Sequence, residues 1–448
     1  MNYEESVRSL LALGRELAAP QQARVQKFGL ENIRILSAKL GNPHRATPCA
    51  HIAGTNGKGS TAAMLESILR SSGLRTGLYT SPHLERINER IRIGGEEISD
   101  EEFAAAWTRV HAAIESLMAS GGLAAHPTFF ECVTAIAFVA FANRKIDFAV
   151  YEVGLGGRLD STNIVEPEVA VLTPIDFDHE NFLGHSIEEI AAEKAGIIKL
   201  GAWVVTALQR AEALAVIRQR ATEVNARLIE ANAEWHTGEI TASPGGCYRA
   251  AVSPTTDVSR KIFLAPALAG RFQIDNALTA ATAARLLSER GFPITMEAIA
   301  AGIAAALWPG RLERLCERPA VYLDGAHNPA AARELRRFCE ENFAGRRIFL
   351  VYGAMRDKAV DEIAGLLFPI AERVFLTQPR QSRAISAPLL AEMTFDLARN
   401  AIVVADPADA LEHALAEAAP GDVVIATGSL FLVGDLRRYW HSRRSVRA

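Results

Sequence analysis

The sequence predicts an α/β protein in which two mainly parallel sheets, each flanked by helices, follow one another along the 448 residues. Three observations support this prediction. Short β-rich apolar runs alternate with helical patterns over most of the chain. A glycine-rich turn stands between a β-prone run and a helical pattern at residues 54–60. Further strand–helix units follow Trp308-Pro309-Gly310. We therefore expect two consecutive α/β domains, over residues 1–305 and 306–448, of which the second is smaller and contains an independent doubly wound sheet.

The apolar runs place the individual elements. Residues 235–265 contain two prolines and a Gly-Gly pair among short β-prone stretches, so we expect hairpins there. A helix is expected from about Gln273 to Arg290. The apolar stretch from Cys132 to Ala142 is about half of the ~20 residues that a membrane span needs, and we interpret it as a buried helix. The predicted strands are Cys49–Ala53, Phe148–Val153, Val169–Thr173 and Trp203–Thr206 in the first part, and Val321–Asp324, Ile348–Tyr352, Val374–Thr377, Ala401–Ala405 and Val423–Thr427 in the second.

Composition excludes several classes of protein. The formal net charge of −4 gives no electrostatic footprint for nucleic acid. The N-terminus carries Glu4 and Glu5 and lacks the apolar run of a signal peptide. No CxxC pair occurs, so neither a zinc site nor a disulfide framework is indicated, and reduced thiols in a cytoplasmic protein are expected. The five cysteines are Cys49, Cys132, Cys247, Cys316 and Cys339.

The segment GTNGKGS at residues 54–60 is a candidate phosphate loop. A strand, a glycine-rich turn and a helix start create an anion site, because backbone N–H groups and the helix N-terminus face the ligand. Lys58 would neutralise the outer phosphates, and the hydroxyl of Ser60 or Thr61 would contact phosphate or its metal. The pattern departs from Walker A, since Ile52 replaces the first glycine and Gly59 follows the lysine. The alternative is a glycine-rich turn with a solvated lysine, and we expect Lys58 to face solvent in the absence of ligand.

Acids, histidines and a lysine follow other apolar runs, where ligands of parallel sheets collect. Glu152 ends one run, and two acids followed by His179 end another. Both suit Mg²⁺, which prefers oxygen ligands and tolerates imidazole. The alternatives are a salt-bridged acid at a strand end and a satisfied histidine in a turn. Ser186 opens a helix as a capping box, and Lys194 lies two turns into that helix. Sequence alone favours a solvated helix face for this lysine.

Nine segments in register resemble the folylpolyglutamate synthase and dihydrofolate synthase family, a branch of the Mur ligase superfamily. The resemblance covers essentially the whole chain. It is carried by GTNGKGS (54–60), TSPHLERINERI (80–91), EVGLGGRLDSTN (152–163), DFDHENFLG (176–184), EKAGIIK (193–199), RFQIDNA (271–277), WPGRLE (308–313), DGAHNP (324–329) and TGSLFLVG (427–434).

The resemblance implies a Mur-ligase-type P-loop domain followed by a Rossmann-like domain, with the active site between them and with ATP and Mg²⁺ as cofactors. Lys58, His179 and Lys194 would be catalytic, and Lys194 would be carbamylated. Nucleotide would be bound by Gly57, Lys58, Gly59, Ser60, Asn276, Arg311, Asp324 and His327. Metal ligands would be Ser81, Glu152, His179 and Lys194. Substrates would contact Phe28, Gly29, Leu30, Thr128, Glu131 and Ser429, the last near the incoming glutamate. One departure is that Asp357-Lys358-Ala359 stands where many relatives have Asp-Lys-Asp.

The implied activity is ATP-dependent addition of L-glutamate to dihydropteroate, to (tetrahydro)folate polyglutamates, or to both, through an acyl phosphate. We expect small-molecule substrates, a monomer, and no nucleic acid or membrane partner. A cell-wall Mur ligase is disfavoured because only 53 residues precede Gly54, too few for its additional N-terminal domain. A nucleotide-binding regulator without ligase activity is disfavoured because every matched ligand is retained. The loop from Thr80 to Arg92 is expected to help form separate pockets for acceptors of different length.

Overall fold

The computed structural model describes residues 1–14 and 29–447. Its largest sheet has eight strands in the order β4-β3-β2-β5-β1-β6-β7-β8. The six neighbouring strands β2, β5, β1, β6, β7 and β8 are parallel to one another. The strands β3 and β4 add an antiparallel edge. Their bounds are β1 Cys49–Ala53, β2 Thr76–Tyr79, β3 Ile91–Ile93, β4 Glu96–Glu97, β5 Phe148–Glu152, β6 Val169–Leu172, β7 Trp203–Thr206 and β8 Arg227–Glu230.

Helices cover both faces of this sheet, as parallel strands require. The central strand β1 is buried along its whole length, between β5 and β6. The helix that contains the apolar stretch Cys132–Ala142 is buried on nearly every side, which confirms its sequence interpretation. The helices of this part are α1 Tyr3–Ala12, α2 Glu31–Lys39, α3 Lys58–Ser71, α4 Asp100–Ala119, α5 Phe129–Arg144, α6 Glu180–Leu183, α7 Ile187–Ala195 and α8 Ala211–Glu223.

A three-stranded antiparallel sheet follows, in the order β11-β10-β9, and it confirms the expected hairpins. Two helices come next and pack against α3, the helix that begins at the glycine-rich turn. They therefore fix the back of that helix and shield it from solvent. The bounds are β9 Trp235–Ser243, β10 Cys247–Pro254, β11 Ile262–Leu264, α9 Phe272–Glu289 and α10 Met296–Ala305.

The last part of the chain forms a six-stranded sheet in the order β12-β13-β17-β14-β15-β16. Five strands are parallel and β12 is antiparallel to β13. The strands are β12 Glu313–Glu317, β13 Ala320–Leu323, β14 Ile348–Tyr352, β15 Arg373–Leu376, β16 Ile402–Val403 and β17 Val423–Thr427. The helices are α11 Pro329–Asn342, α12 Val360–Leu367, α13 Ala387–Met393, α14 Pro407–Glu417 and α15 Leu430–Arg447.

The predicted α/β architecture is confirmed, and the predicted strands match within about two residues at each end, the usual uncertainty of element bounds. The sequence analysis missed β2, β3, β4, β8 and β12, which are short or lie toward sheet edges, where apolar patterning is weak. The division into residues 1–305 and 306–448 stays a prediction. Within the described ranges, we find no helix that combines the length and the apolar character needed to cross a membrane.

Candidate active site

A cavity of about 2080 Å³ lies where the loops after the parallel strands of the two large sheets meet. Its walls come from both ends of the chain. The loops after β1, β5 and β6 supply one side, and the loops after β13, β14 and β17 supply the other. The carboxyl ends of parallel strands are the usual place for ligands in such sheets. The arrangement therefore makes this cleft the candidate active site.

The glycine-rich turn between β1 and α3 forms the floor of the cleft. Gly57 has φ of +83°, and a Cβ atom there would lie 2.5 Å from Oδ1 of Asn276, so a larger residue fits neither the backbone nor the space. The turn is fastened to the neighbouring loop because Thr55 Oγ1 donates to the Asp176 carbonyl at 2.9 Å and accepts from the Asp176 N–H. The start of α3 is thereby aimed into the cavity, as an anion site requires.

Lys58 folds back onto the turn instead of facing solvent, so that expectation from the sequence was wrong. Its Nζ donates to the carbonyls of Gly54 and Thr55, each at 3.2 Å. Burial lowers the pKa of this ammonium, while the nearby carboxylate of Glu152 opposes the shift. Lys58 is therefore held inside the phosphate loop by the backbone carbonyls it satisfies.

Glu152 ends β5 beside the phosphate loop and is almost fully buried. Its Oε2 accepts from the Ser81 N–H at 3.2 Å. Burial raises the pKa of this carboxyl, and Lys58 acts in the opposite direction. A buried carboxylate with one backbone donor retains lone pairs for a cation.

Lys194 is 5 % exposed, so the solvated-face interpretation is wrong. The helix does begin with the predicted capping box at Ser186, and it carries the lysine inward. Nζ donates to the Gly54 carbonyl at 2.8 Å. Burial, reinforced by the charge of Lys58, lowers the pKa of Lys194 to about 7. A large share of this amine is thus uncharged near neutral pH.

His179 stands in the loop after β6 with a left-handed backbone, φ of +52°. Burial lowers its pKa to about 4, so the imidazole is neutral at physiological pH. Among the described residues, no hydrogen-bond acceptor or donor lies within reach of its buried Nδ1, and the nearest acid, Asp357, is 3.9 Å away. A neutral imidazole with a free ring nitrogen is the form that ligates metals.

Asp178 joins the two sides of the cleft. Its Oδ1 accepts from the Lys358 ammonium at 2.6 Å, and its Oδ2 accepts from Asn328 Nδ2 at 3.3 Å. His327 Nε2 lies 3.5 Å from the same Oδ2. Burial alone would raise the pKa of Asp178, but His327 and Lys358 hold it well below its usual range.

The opposite wall is organised by Asp324 at the end of β13. Its two oxygens accept from the N–H groups of Leu312 and Ala326, both at 2.9 Å. Burial raises the pKa of Asp324, whereas the Arg311 guanidinium acts to lower it. His327 donates from Nδ1 to the Gly325 carbonyl at 2.7 Å. This wall therefore presents a half-buried arginine and an oriented imidazole to the cavity.

The side chains present fit a divalent cation that shares its ligands with a bound phosphate. No group of three or more His, Cys, Asp or Glu side chains forms a complete metal cage in residues 1–14 and 29–447. Mg²⁺ typically takes one or two carboxylates and fills the remaining positions with phosphate oxygens and water. Glu152, Ser81 and His179 all line the cavity, and their side chains match that incomplete set.

Comparison with known proteins decides the family. Residues 52–284 match the Mur ligase middle domain, and residues 310–430 match the Mur ligase, glutamate ligase domain. The dihydrofolate synthase/folylpolyglutamate synthase of Bacillus subtilis is 38 % identical over 417 residues, which are 92 % of this chain and 95 % of that protein. The chain belongs to the folylpolyglutamate synthase and dihydrofolate synthase family of Mur ligases.

Solved structures of the same family share the whole architecture. Escherichia coli FolC in complex with DHPP and ADP matches with a TM-score of 0.86 and 30 % identity, covering 99 % of both chains. The bifunctional folylpolyglutamate synthase/dihydrofolate synthase of Yersinia pestis, complexed with AMPPNP and Mn ion, matches with a TM-score of 0.82 and 30 % identity, covering 98 % of both chains. Like its relatives, this chain is an ATP-dependent ligase.

The structure brings nearly all of the sequence-predicted site residues into the cleft. The exceptions are Phe28, which lies outside the described residues, and Leu30, which packs into the hydrophobic core near α2. Individual roles stay predictions. The cavity is lined by Gly29, Gly57, Lys58, Gly59, Ser60, Ser81, Thr128, Glu131, Glu152, His179, Lys194, Asn276, Arg311, Asp324, His327 and Ser429.

Sequence reasoning missed the cluster around Asp178. Lys358 was noted only for the residue that follows it, and Asp178 only as a neighbour of His179. A signal was available, because both residues follow parallel strands, β14 and β6. The role of the loop from Thr80 to Arg92 in forming separate acceptor pockets stays a prediction. Only Ser81 and Pro82 of it line the cavity, while Leu84 packs into the hydrophobic core beside β17 and α15.

Proposed function

We propose that this enzyme carries out both family reactions, joining L-glutamate to dihydropteroate and extending reduced folates with glutamate, at the expense of ATP and with a divalent cation. The observation that carries the proposal is a single cleft in which a phosphate loop, a buried carboxylate, a neutral histidine and several cations converge. The bifunctional names of the Bacillus subtilis and Yersinia pestis relatives support the pair of acceptors.

The reaction proceeds in two displacements. A carboxylate oxygen of the acceptor attacks the γ-phosphorus of ATP, the bond to the ADP oxygen breaks, and an acyl phosphate forms. The amine nitrogen of glutamate then attacks the acyl carbon. Phosphate leaves with the oxygen that came from the acceptor, and the ammonium proton is lost. The protein's task is to hold anions together and to stabilise the charge that develops between them.

The phosphate loop and the opposite wall share that task in the proposed enzyme. Lys58 and the N–H groups at the start of α3 face the phosphates from one side. Arg311, which donates to the Gly310 carbonyl at 3.1 Å, and His327, which donates to the Gly325 carbonyl, would face them from the other. Asn276, which lies against Gly57, would contact the adenine.

Glu152, Ser81 and His179 would hold the cation, and a carbamylated Lys194 would complete the set. The bound cation would polarise phosphate oxygens and neutralise their charge. The Lys194 Nζ donates a hydrogen bond to the Gly54 carbonyl. A carbamate on Nζ would therefore place carboxylate oxygens next to the phosphate loop. An unmodified ammonium there would repel the cation.

The acceptor would lie between the start of α5 and Gly29. Thr128 and Glu131 form a capping box at the start of α5, in which Glu131 Oε2 accepts from the Thr128 N–H and hydroxyl at 2.8 and 2.9 Å. The box fixes both side chains and leaves Glu131 Oε1 for a substrate donor. Gly29 and Ser429 line other parts of the same cavity. The length of this cavity would accommodate acceptors that differ by one glutamyl unit.

The test is glutamate-dependent phosphate release with dihydropteroate and tetrahydrofolate in separate assays, with products identified by mass. We expect turnover with both, each product heavier by one glutamyl residue. Turnover with tetrahydrofolate alone would reduce the enzyme to a folylpolyglutamate synthase. Absence of turnover with both acceptors would contradict the proposed substrates, and other carboxylates would then be tested with the same assay.

One chain supplies both walls of the cleft, which supports a monomer as the active form. The proposed division at residues 305 and 306 would separate the two walls, since the last sheet begins only at Glu313. All five cysteines are unpaired, which favours a reducing compartment such as the cytoplasm.

A further inference from the structure

Asp178 and Asp176 are side chains through which the loop after β6 reaches across the cleft, and Asp178 makes the larger set of contacts. Its carboxylate receives Lys358, which follows β14, and Asn328, which caps α11. His327 stands beside its second oxygen. All three partners lie in segments that follow strands of the last sheet, whereas Asp178 follows a strand of the first. This carboxylate is thus one of several contacts that join two parts of the protein far apart in sequence, together with Asn56–Asn328, Asp176–Arg333 and Glu85–Arg437.

Because the ion pair between Asp178 and Lys358 is buried, separating the two charges costs free energy. The Lys358 side chain is 7 % exposed and that of Asp178 is 10 % exposed. A buried ammonium without a counter-charge is strongly disfavoured, so it either neutralises or turns toward water. Loss of the Asp178 charge would leave Lys358 with the more distant carboxylate of Asp357, 3.9 Å away, and would therefore weaken its hold on the position that it occupies in the cleft.

Asp178 also shapes the candidate metal ligand that follows it. Its Oδ1 accepts from the His179 N–H at 2.9 Å, which stabilises the left-handed backbone of His179. The same oxygen accepts from Lys358. The position of the Lys358 ammonium and the backbone conformation of His179 therefore both depend on the Asp178 carboxylate.

We propose that Asp178 is a positioning residue that docks the last sheet onto the first and holds Lys358 and His327 facing the reacting phosphate and carboxylate groups. This inference rests on the proposed ligase function, because Lys358 and His327 would contribute to catalysis only where phosphate and carboxylate groups react. Asp178 itself does not touch the reacting atoms.

The variant Asp178→Asn isolates the charge. Asparagine has the same shape, and its amide oxygen still accepts from the His179 N–H. It no longer carries the negative charge that Lys358 needs. A matched control is Asp422→Asn. Asp422 pairs with Arg347 at 2.6 Å and its side chain is also 10 % exposed, but the pair lies outside the cleft, at the start of β17.

The experiment is a double-mutant cycle with Asp178→Asn, Lys358→Met and the two combined. We expect each single variant to lower kcat/KM for glutamate by roughly 10- to 100-fold, the range of a lost charge-assisted hydrogen bond. The combined variant should be no worse than the slower single variant, because both remove the same contact. Asp422→Asn should keep the wild-type rate even where it lowers the unfolding midpoint.

Two results would overturn the inference. One is a wild-type rate in Asp178→Asn, and the other is a combined variant whose loss is the product of the two single losses. If Asp178→Asn does not fold, Asp178→Ser takes its place in the cycle, because it also removes the charge while its hydroxyl oxygen can accept from the His179 N–H, and independence of the two sites would again count against the contact. The same cycle measured by denaturant unfolding does not require catalysis. A coupling seen there in a protein inactive with both acceptors would reject the proposed function and leave the docking contact standing.

Discussion

At the scale of single residues, the properties of the site depend on ionisable groups that are buried in the walls of the cleft. Lys194 shows the consequence most clearly, because burial and the neighbouring Lys58 bring its pKa to about 7. An ordinary lysine, with a pKa near 10.4, is almost entirely charged at pH 8, whereas at this position about 90 % of the amine would be neutral. Only the neutral amine reacts with CO₂, forming a carbamate and releasing a proton.

We predict that Lys194 carries a carbamate at pH 8 and loses it as the pH falls. The sign follows from the lowered pKa, since protonation of the amine below about pH 7 removes the nucleophile. The measurement is ¹³C NMR of nucleotide- and metal-loaded enzyme in ¹³C-bicarbonate. A carbamate resonance should be present at pH 8, weaken by pH 6 and be absent from Lys194→Met. Its absence from the wild-type protein at pH 8 would exclude the modification.

At the scale of elements, the turn from β1 into α3 is built around its own lysine. Lys58 satisfies two carbonyls of the turn, so it acts both as a structural donor and as a charge beside the phosphates. The helix that follows is buried by α9 and α10 and does not depend on the lysine for its packing. Loss of the charge should therefore affect catalysis much more than folding.

We predict that Lys58→Ala lowers kcat at saturating ATP by at least about 100-fold, the usual effect of removing one group that stabilises developing charge. The unfolding midpoint should stay within a few degrees of the wild-type value. Lys39→Ala, at the exposed end of α2, is the control and should change neither quantity. Turnover by Lys58→Ala within a few-fold of wild type would remove the lysine from the phosphate site.

The sequence predicts some helices and strands of the protein better than others. Central strands such as β1 and β5 are continuous apolar runs, because a parallel strand is buried on both faces, and their bounds could be predicted. The edge strands β3 and β4 are two or three residues long and partly exposed, so no pattern marks them. The capping boxes at Ser186 and Thr128 are local motifs, and the first was predicted from its spacing alone.

At the scale of the whole molecule, local patterns could identify both walls of the cleft but not how they meet. Lys58, Glu152 and His179 were predicted because each follows an apolar run on a motif of its own. The burial of Lys194 and the pairing of Asp178 with Lys358 depend on contacts between residues 140 and 180 positions apart. Such contacts leave no local trace, so the sequence alone favoured a solvated helix face for Lys194.

The most direct test of the account is to follow the oxygen that the first displacement transfers. Dihydropteroate or tetrahydrofolate labelled with ¹⁸O in the reacting carboxylate is converted with ATP, Mg²⁺ and L-glutamate, and the released phosphate is examined by mass. The proposed acyl phosphate predicts one labelled oxygen in each phosphate formed, together with ADP. Amide formation with unlabelled phosphate, or with AMP and pyrophosphate in place of ADP, would contradict it.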